Sequence, residues 1–137
     1  MREMQETLHP MLVHFHIGLL ATASVFELLG VWRRHAGLRQ AAFYMLIVGL
    51  LGLLVSVPSG LWAAQEQAAG AQRLVALHRD IGLAATVLFA VVVGLRTALA
   101  RREKPGPALA WTYGVLLPVA VAFLAVTGYY GGRIVYG

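Results

Sequence analysis

Four long apolar stretches, separated by short polar breaks, run through this chain. The first extends roughly from Pro10 to Trp32, the second from Ala41 to Ala64, the third from about residue 76 to Leu99, and the fourth from Ala108 to Tyr130. Each approaches or exceeds the roughly 20 residues that a helix needs to cross a bilayer. The breaks are Arg33 to Gln40, Gln65 to Gln72 and Arg101 to Pro107. A backbone group inside lipid must find its partner within its own segment, so all four spans are predicted to be helices. Pro10 falls where the first helix is expected to begin, a position at which its missing N–H costs nothing. The pattern predicts an all-α, four-helix membrane bundle formed as a single domain over residues 1–137.

Composition agrees with that pattern. Hydrophobic residues make up 59% of the 137, charged residues 12%, and mean hydropathy is +0.72. Soluble domains carry about twice that share of charge. The stretch before the first span mixes Arg2 with Glu3 and Glu6, and the apolar run that follows outlasts a signal core, so it is expected to stay as an anchor. With no cysteine in the chain, disulfides, thiolate catalysis, cysteine-bound iron–sulfur clusters and covalent c-type haem attachment are excluded.

The net charge of +5 lies on one side. The first and third breaks with their adjoining helix ends hold seven cations (Arg33, Arg34, Arg39, Arg96, Arg101, Arg102 and Lys104) against Glu27 and Glu103. The termini and the second break hold four cations, Arg2, Arg73, Arg79 and Arg133, against four acids. The positive-inside rule makes the first side cytoplasmic, which puts both termini outside and assigns the chain to the cytoplasmic membrane as a multi-pass protein. The basic balance is thus a topology signal and gives no footprint for nucleic acid. The outer side then collects His9, His14, His16, His78, Arg79, Tyr129, Tyr130 and Arg133. His35 falls among the cytoplasmic arginines and reads as solvated surface. Glu27, near the inner end of the first span, is a functional candidate as an intramembrane acid, yet it lies close enough to the interface to snorkel or to pair with Arg34 or Arg96.

A repeat organises the outer side. His14-Phe15-His16-Ile17-Gly18-Leu19-Leu20-Ala21-Thr22 and His78-Arg79-Asp80-Ile81-Gly82-Leu83-Ala84-Ala85-Thr86 agree at six of nine positions. Ser59-Gly60-Leu61-Trp62-Ala63-Ala64 is echoed by Thr127-Gly128-Tyr129-Tyr130-Gly131-Gly132. Two tandem helical hairpins are therefore expected, related by a pseudo-two-fold axis along the membrane normal. His14 and His78 would then sit at equal depth on equivalent helices. At about 100° per residue, His14 heads a stripe of Gly18, Ala21 and Val25, and His78 heads Gly82, Ala85 and Phe89. His16 points about 200° away from His14, so one helix cannot aim both at one centre. The second span carries a small stripe of its own, Gly49, Gly52, Ser56, Ser59 and Ala63. Stripes of small residues permit close helix packing, and they also leave room for a flat ligand.

Two imidazoles from facing helices suit axial ligation of a haem iron, which needs trans nitrogen donors, an apolar slot and cationic groups for the propionates. On this reading His14 and His78 ligate haem b, with Gly18 and Gly82 beneath them. Arg79, Arg133 and Tyr129 would line the rim, though Tyr129, Tyr130 and Trp62 also fit an aromatic belt. Two histidine ligands leave no open iron position, which favours electron transfer over turnover chemistry. Two other readings stay open. His14 and His78, with His9 or His16, could hold zinc or copper, for which imidazole is a good ligand, with Asp80 or Glu66 as a further donor. The histidines could instead only hydrogen-bond across helices to Ser59 or Thr127, in a small-solute protein or a non-catalytic assembly subunit. No Ser-His-Asp arrangement, paired intramembrane carboxylates or phosphate loop argues for hydrolysis.

The segment Leu8-His9-Pro10-Met11-Leu12-Val13-His14-Phe15-x-Ile17-Gly18-Leu19-Leu20, the later His78-Arg79 and the closing Gly128-Tyr129-Tyr130-Gly131-Gly132-Arg133-Ile134-Val135-Tyr136-Gly137 resemble a bacterial and archaeal family of four-helix membrane proteins of unknown function. The resemblance covers nearly the whole chain. The family usually has proline where this chain has His16, which favours His9, His14 and His78 as the shared residues. Family members look like modules fused to Rieske-type or c-type cytochrome domains. The resemblance therefore implies a place in membrane electron transfer, exchanging electrons with a quinol or an outer-face redox protein.

Overall fold

The computed structural model describes the backbone of residues 2–65 and 72–136, and the side chains outside residues 1–10, 12, 62–71 and 135–137. Four helices account for nearly all of it: α1 (Arg2–Trp32), α2 (Ala36–Gln65), α3 (Gln72–Arg101) and α4 (Pro107–Tyr136). Each contains a segment long and apolar enough to cross a membrane. The helices outrun the apolar spans that announce them, because hydropathy marks the hydrocarbon and a helix can continue into the interface. At 1.5 Å per residue, 30 residues reach about 45 Å, close to the full thickness of a bilayer with its headgroups. The first helix departs most from expectation. It starts at Arg2, so Pro10 lies inside it instead of at its first turn. The intervening residues are mostly good helix formers, which lets the helix extend backward beyond the proline.

α1 packs most extensively on α2 and α3 on α4, so the chain forms two hairpins, which meet mainly along α2 and α3. The α1–α2 turn is tight: Arg34 takes a left-handed φ of 51° and the His35 amide donates to the Gly30 carbonyl at 2.9 Å. His35 is exposed as expected, yet its Nδ1 accepts the Leu38 amide at 3.2 Å and so caps α2. Phe89, Leu20, Leu46 and Val92 are the largest fully buried side chains. They form a dry middle layer with Leu117, Ala120 and Leu124 from α4. The polar groups fall into two layers above and below it, called here the histidine end and the basic end.

The face that α1 turns inward is not the one the repeat suggests. His14, Gly18, Ala21 and Val25 are all exposed, whereas His16, Leu20, Ala23, Glu27 and Gly30 are buried. In α3 the expected stripe does turn inward, with Ala85 and Phe89 fully buried and His78 half-buried. The small stripe of α2 explains the choice in α1. A Cβ placed on Gly49 would meet Leu20 side-chain atoms at 2.5 and 2.6 Å, and one placed on Gly52 would meet His16 Cβ at 2.8 Å. The two bulky α1 residues sink into the groove that these glycines leave.

Candidate functional site

At the histidine end the four helices enclose a cavity of about 360 Å³. Its walls are mostly apolar, with small residues from α3 and α4 (Gly82, Ala85, Gly128, Gly131 and Gly132) giving it width. The polar groups on the wall are few: His14 and His16 from α1, Ser56 from α2, His78, Arg79 and Thr86 from α3, and Thr127 from α4. An apolar pocket with a handful of convergent polar groups is the usual form of a small-molecule site.

His16 is 3% exposed, and its Nδ1 lies 3.1 Å from Ser56 Oγ. The Ser56 hydroxyl spends its proton on the Gly52 carbonyl at 2.9 Å. With that proton on Gly52 the serine oxygen is an acceptor, so the two bonds are made together when His16 Nδ1 is the donor. His78 reaches the same state by a different partner. Its Nδ1 donates to the Thr127 carbonyl at 2.9 Å, an acceptor with no proton to offer. The ring gains that position because α4 has glycine at 131, where a Cβ would stand 3.1 Å from His78 Cε1. Both imidazoles are thus oriented by a hydrogen bond at Nδ1, as the ring nitrogens of metal-ligating histidines commonly are.

Of the residues singled out in the sequence, His14, His78, Arg79 and Gly82 line this cavity. His14 does so from an exposed position. Arg79 pairs its Nε with Asp80 at 2.8 Å on the exposed surface. Gly18, Arg133 and Tyr129 are not on the cavity wall. Gly18 has open space where its Cβ would be, Arg133 is exposed, and Tyr129 is 60% exposed and stacks edge-on with Tyr130 at 5.5 Å. The side chains of His9, Trp62 and Glu66 lie outside the described residues. Among the described residues no three His, Asp or Glu side chains converge as a metal site.

Sequence reasoning left His16 out of the haem reading, keeping it only as an alternative metal ligand, and gave Ser56 no site role. A signal for His16 was present. Glu27 lies 11 residues further along α1, within about 20° of His16 on the helical wheel. A carboxylate at that depth points into the bundle, not into lipid, and His16 shares its face.

No curated protein and no solved structure matches this chain. The family described as "Predicted membrane protein (DUF2231)" matches residues 5–137. That match, over four helices able to span a bilayer, makes this chain a member of the DUF2231 family of predicted membrane proteins.

Proposed function

We propose that this protein binds one b-type haem in the histidine-end cavity and passes electrons between a quinol and a redox protein at the outer face of the cytoplasmic membrane. The observation that carries the reading is the matched state of His16 and His78. Two helices present imidazoles to one apolar cavity, each with Nδ1 held by a neighbour. His16 takes the place of His14 as the partner of His78, because His16 is the buried one. His14 remains on the wall, where it can hydrogen-bond to a bound group. The glycines of α3 and α4 leave flat space beside His78, and Arg79 offers a guanidinium at the rim for a carboxylate.

When bound, the haem would supply a one-electron couple that no side chain here provides. The protein's own residues orient it and exclude water, and the dry layer of Leu20, Phe89 and Val92 isolates it from the basic end. With the basic end facing the cytoplasm, the cavity opens toward the outer half of the bilayer. That is where a Rieske-type or c-type cytochrome partner would dock. The test is the reduced-minus-oxidised spectrum and haem content of protein purified in detergent from haem-replete cells. About one haem per chain, with a Soret band that sharpens on dithionite, is the expected result. A folded, colourless protein that takes up no added haemin would overturn the proposal. Stoichiometric zinc or copper in such a protein would point to the metal-ion reading.

A further inference from the structure

A second polar site occupies the basic end, on the far side of the dry layer from the cavity. Each helix contributes one group: Glu27 from α1, Arg39 from α2, Arg96 from α3 and Tyr113 from α4. Glu27 is 2% exposed and Arg96 is 6% exposed. Glu27 stands five residues inside Trp32, about 7.5 Å along the helix axis. Trp32 and Trp111 are 72% and 74% exposed and mark the interface at this end. The cluster therefore lies at hydrocarbon depth.

Its ion pairs are incomplete as hydrogen bonds. Arg96 Nε and Arg39 Nε lie 3.3 and 3.5 Å from the same carboxylate oxygen, Glu27 Oε1. Arg96 is held otherwise, by donating from Nη2 to the Arg39 carbonyl at 3.1 Å and by lying 5.2 Å from the Phe43 ring centre. Among the described residues, the buried side-chain polar atoms that make no well-formed hydrogen bond are both Glu27 oxygens, Arg39 Nε, Arg96 Nε and the Tyr113 hydroxyl, although the phenol lies near enough to interact with the Glu27 carboxylate directly. All five belong to this cluster. Orphaned polar groups are costly to bury, and gathering them in one place marks where a small guest completes the bonding.

The chemistry of the five atoms selects the guest. The carboxylate oxygens need a donor, and the two guanidinium Nε–H groups need an acceptor. An anion could accept from the guanidinium groups but offers no donor to the carboxylate. A metal cation could be held by the carboxylate but offers no acceptor to the N–H groups and would be repelled by the arginines. We propose that the cluster binds internal water, which donates to Glu27 and accepts from Arg39, Arg96 and Tyr113. One water makes about two to four hydrogen bonds, so one or two molecules suffice. Water reaches the site from the basic end past Arg39, whose side chain is 43% exposed. Leu20, Ala23, Phe89 and Val92 separate it from the cavity, so this water forms no continuous wire across the bundle.

The test uses the full chain in detergent and the variant Tyr113→Phe, which removes only the hydroxyl. Loss of a direct Tyr113–Glu27 contact alone would leave no water band in the wild-type-minus-variant infrared difference spectrum. Deleting a ligand of bound water should instead leave in that difference spectrum, from which bulk solvent cancels, a narrow O–H stretch that moves when H₂¹⁸O replaces H₂¹⁶O. Glu27→Gln, which keeps an acceptor oxygen, should shift that band without abolishing it. Replacing chloride by gluconate at constant ionic strength should not move the midpoint. The lack of any ¹⁸O-sensitive band in the wild-type-minus-Tyr113→Phe difference spectrum would overturn the proposal. A chloride-dependent midpoint would overturn it in favour of a bound anion. None of these readouts depends on whether the cavity holds haem.

Discussion

Ser56 holds His16: the two side chains meet at 3.1 Å across the α1–α2 interface, and the serine's own proton goes to the Gly52 carbonyl. That relay orients a buried imidazole. Ser56→Ala keeps the volume nearly constant but leaves the His16 Nδ1–H without this acceptor. An unsatisfied buried donor costs about 1–3 kcal/mol. The variant should unfold at a measurably lower denaturant or temperature midpoint than wild type, whereas Ser56→Thr, which keeps a hydroxyl, should recover most of the loss.

Two glycines on facing helices should respond in opposite ways to the same change. A Cβ at position 52 would stand 2.8 Å from His16 Cβ, a backbone-proximal atom that cannot swing away. Gly52→Ala should therefore push α1 and α2 apart, an overpacking penalty of about 1–3 kcal/mol. Gly18→Ala points into open space and replaces a poor helix former, so it should be neutral or stabilising by up to about 1 kcal/mol. Thermal midpoints of the two purified variants, measured side by side, check the contrast. A destabilised Gly18→Ala would contradict the inward face assigned to α1.

At the basic end, breaking the buried pair is the damaging act. Arg96→Ala strands Glu27 at hydrocarbon depth with only half-exposed Arg39 nearby, and removing one partner of a buried pair costs about 3–5 kcal/mol. Loss of folded yield, or a midpoint lowered far more than in Arg102→Ala, is the expected outcome. Arg102 is exposed in the loop between α3 and α4, and its substitution should change little.

The orientation can be read with single cysteines, because the chain has none of its own. With the basic end cytoplasmic, a cysteine at Arg102 should resist a membrane-impermeant thiol reagent in intact cells and react after lysis. A cysteine at Arg133 should react in intact cells. The reverse pattern would invert the topology and place the cavity on the cytoplasmic side.

The four helices and their order were legible in the sequence because lipid leaves the backbone no alternative and because charge marks the breaks. The rotation of α1 was not. Its residues are apolar nearly all round, so no periodic stripe distinguishes the core face from the lipid face, and the His14–His78 repeat favoured a face of α1 that is exposed. The deciding contact is non-local: Gly49 and Gly52 of α2 receive Leu20 and His16. Glu27 gave the better guide, since an intramembrane acid must face the bundle and carries His16 with it. The Thr127 carbonyl that holds His78 has no sequence signature. It is a backbone group, exposed to the ring because glycine follows one turn later at 131. The cap that His35 provides to α2 depends likewise on the turn geometry at Arg34.

His14 and His16 stand two residues apart on the same helix and both line the cavity, one exposed and one buried. Their substitution therefore tests the central proposal most directly. The reduced-minus-oxidised spectrum is recorded for wild type, His14→Ala and His16→Ala prepared in parallel, with His78→Ala as the partner control. The account predicts a Soret band in wild type that His16→Ala and His78→Ala each abolish or convert to a five-coordinate form, while His14→Ala retains a six-coordinate spectrum. A band that survives His16→Ala unchanged, or no band in the wild type, would contradict it.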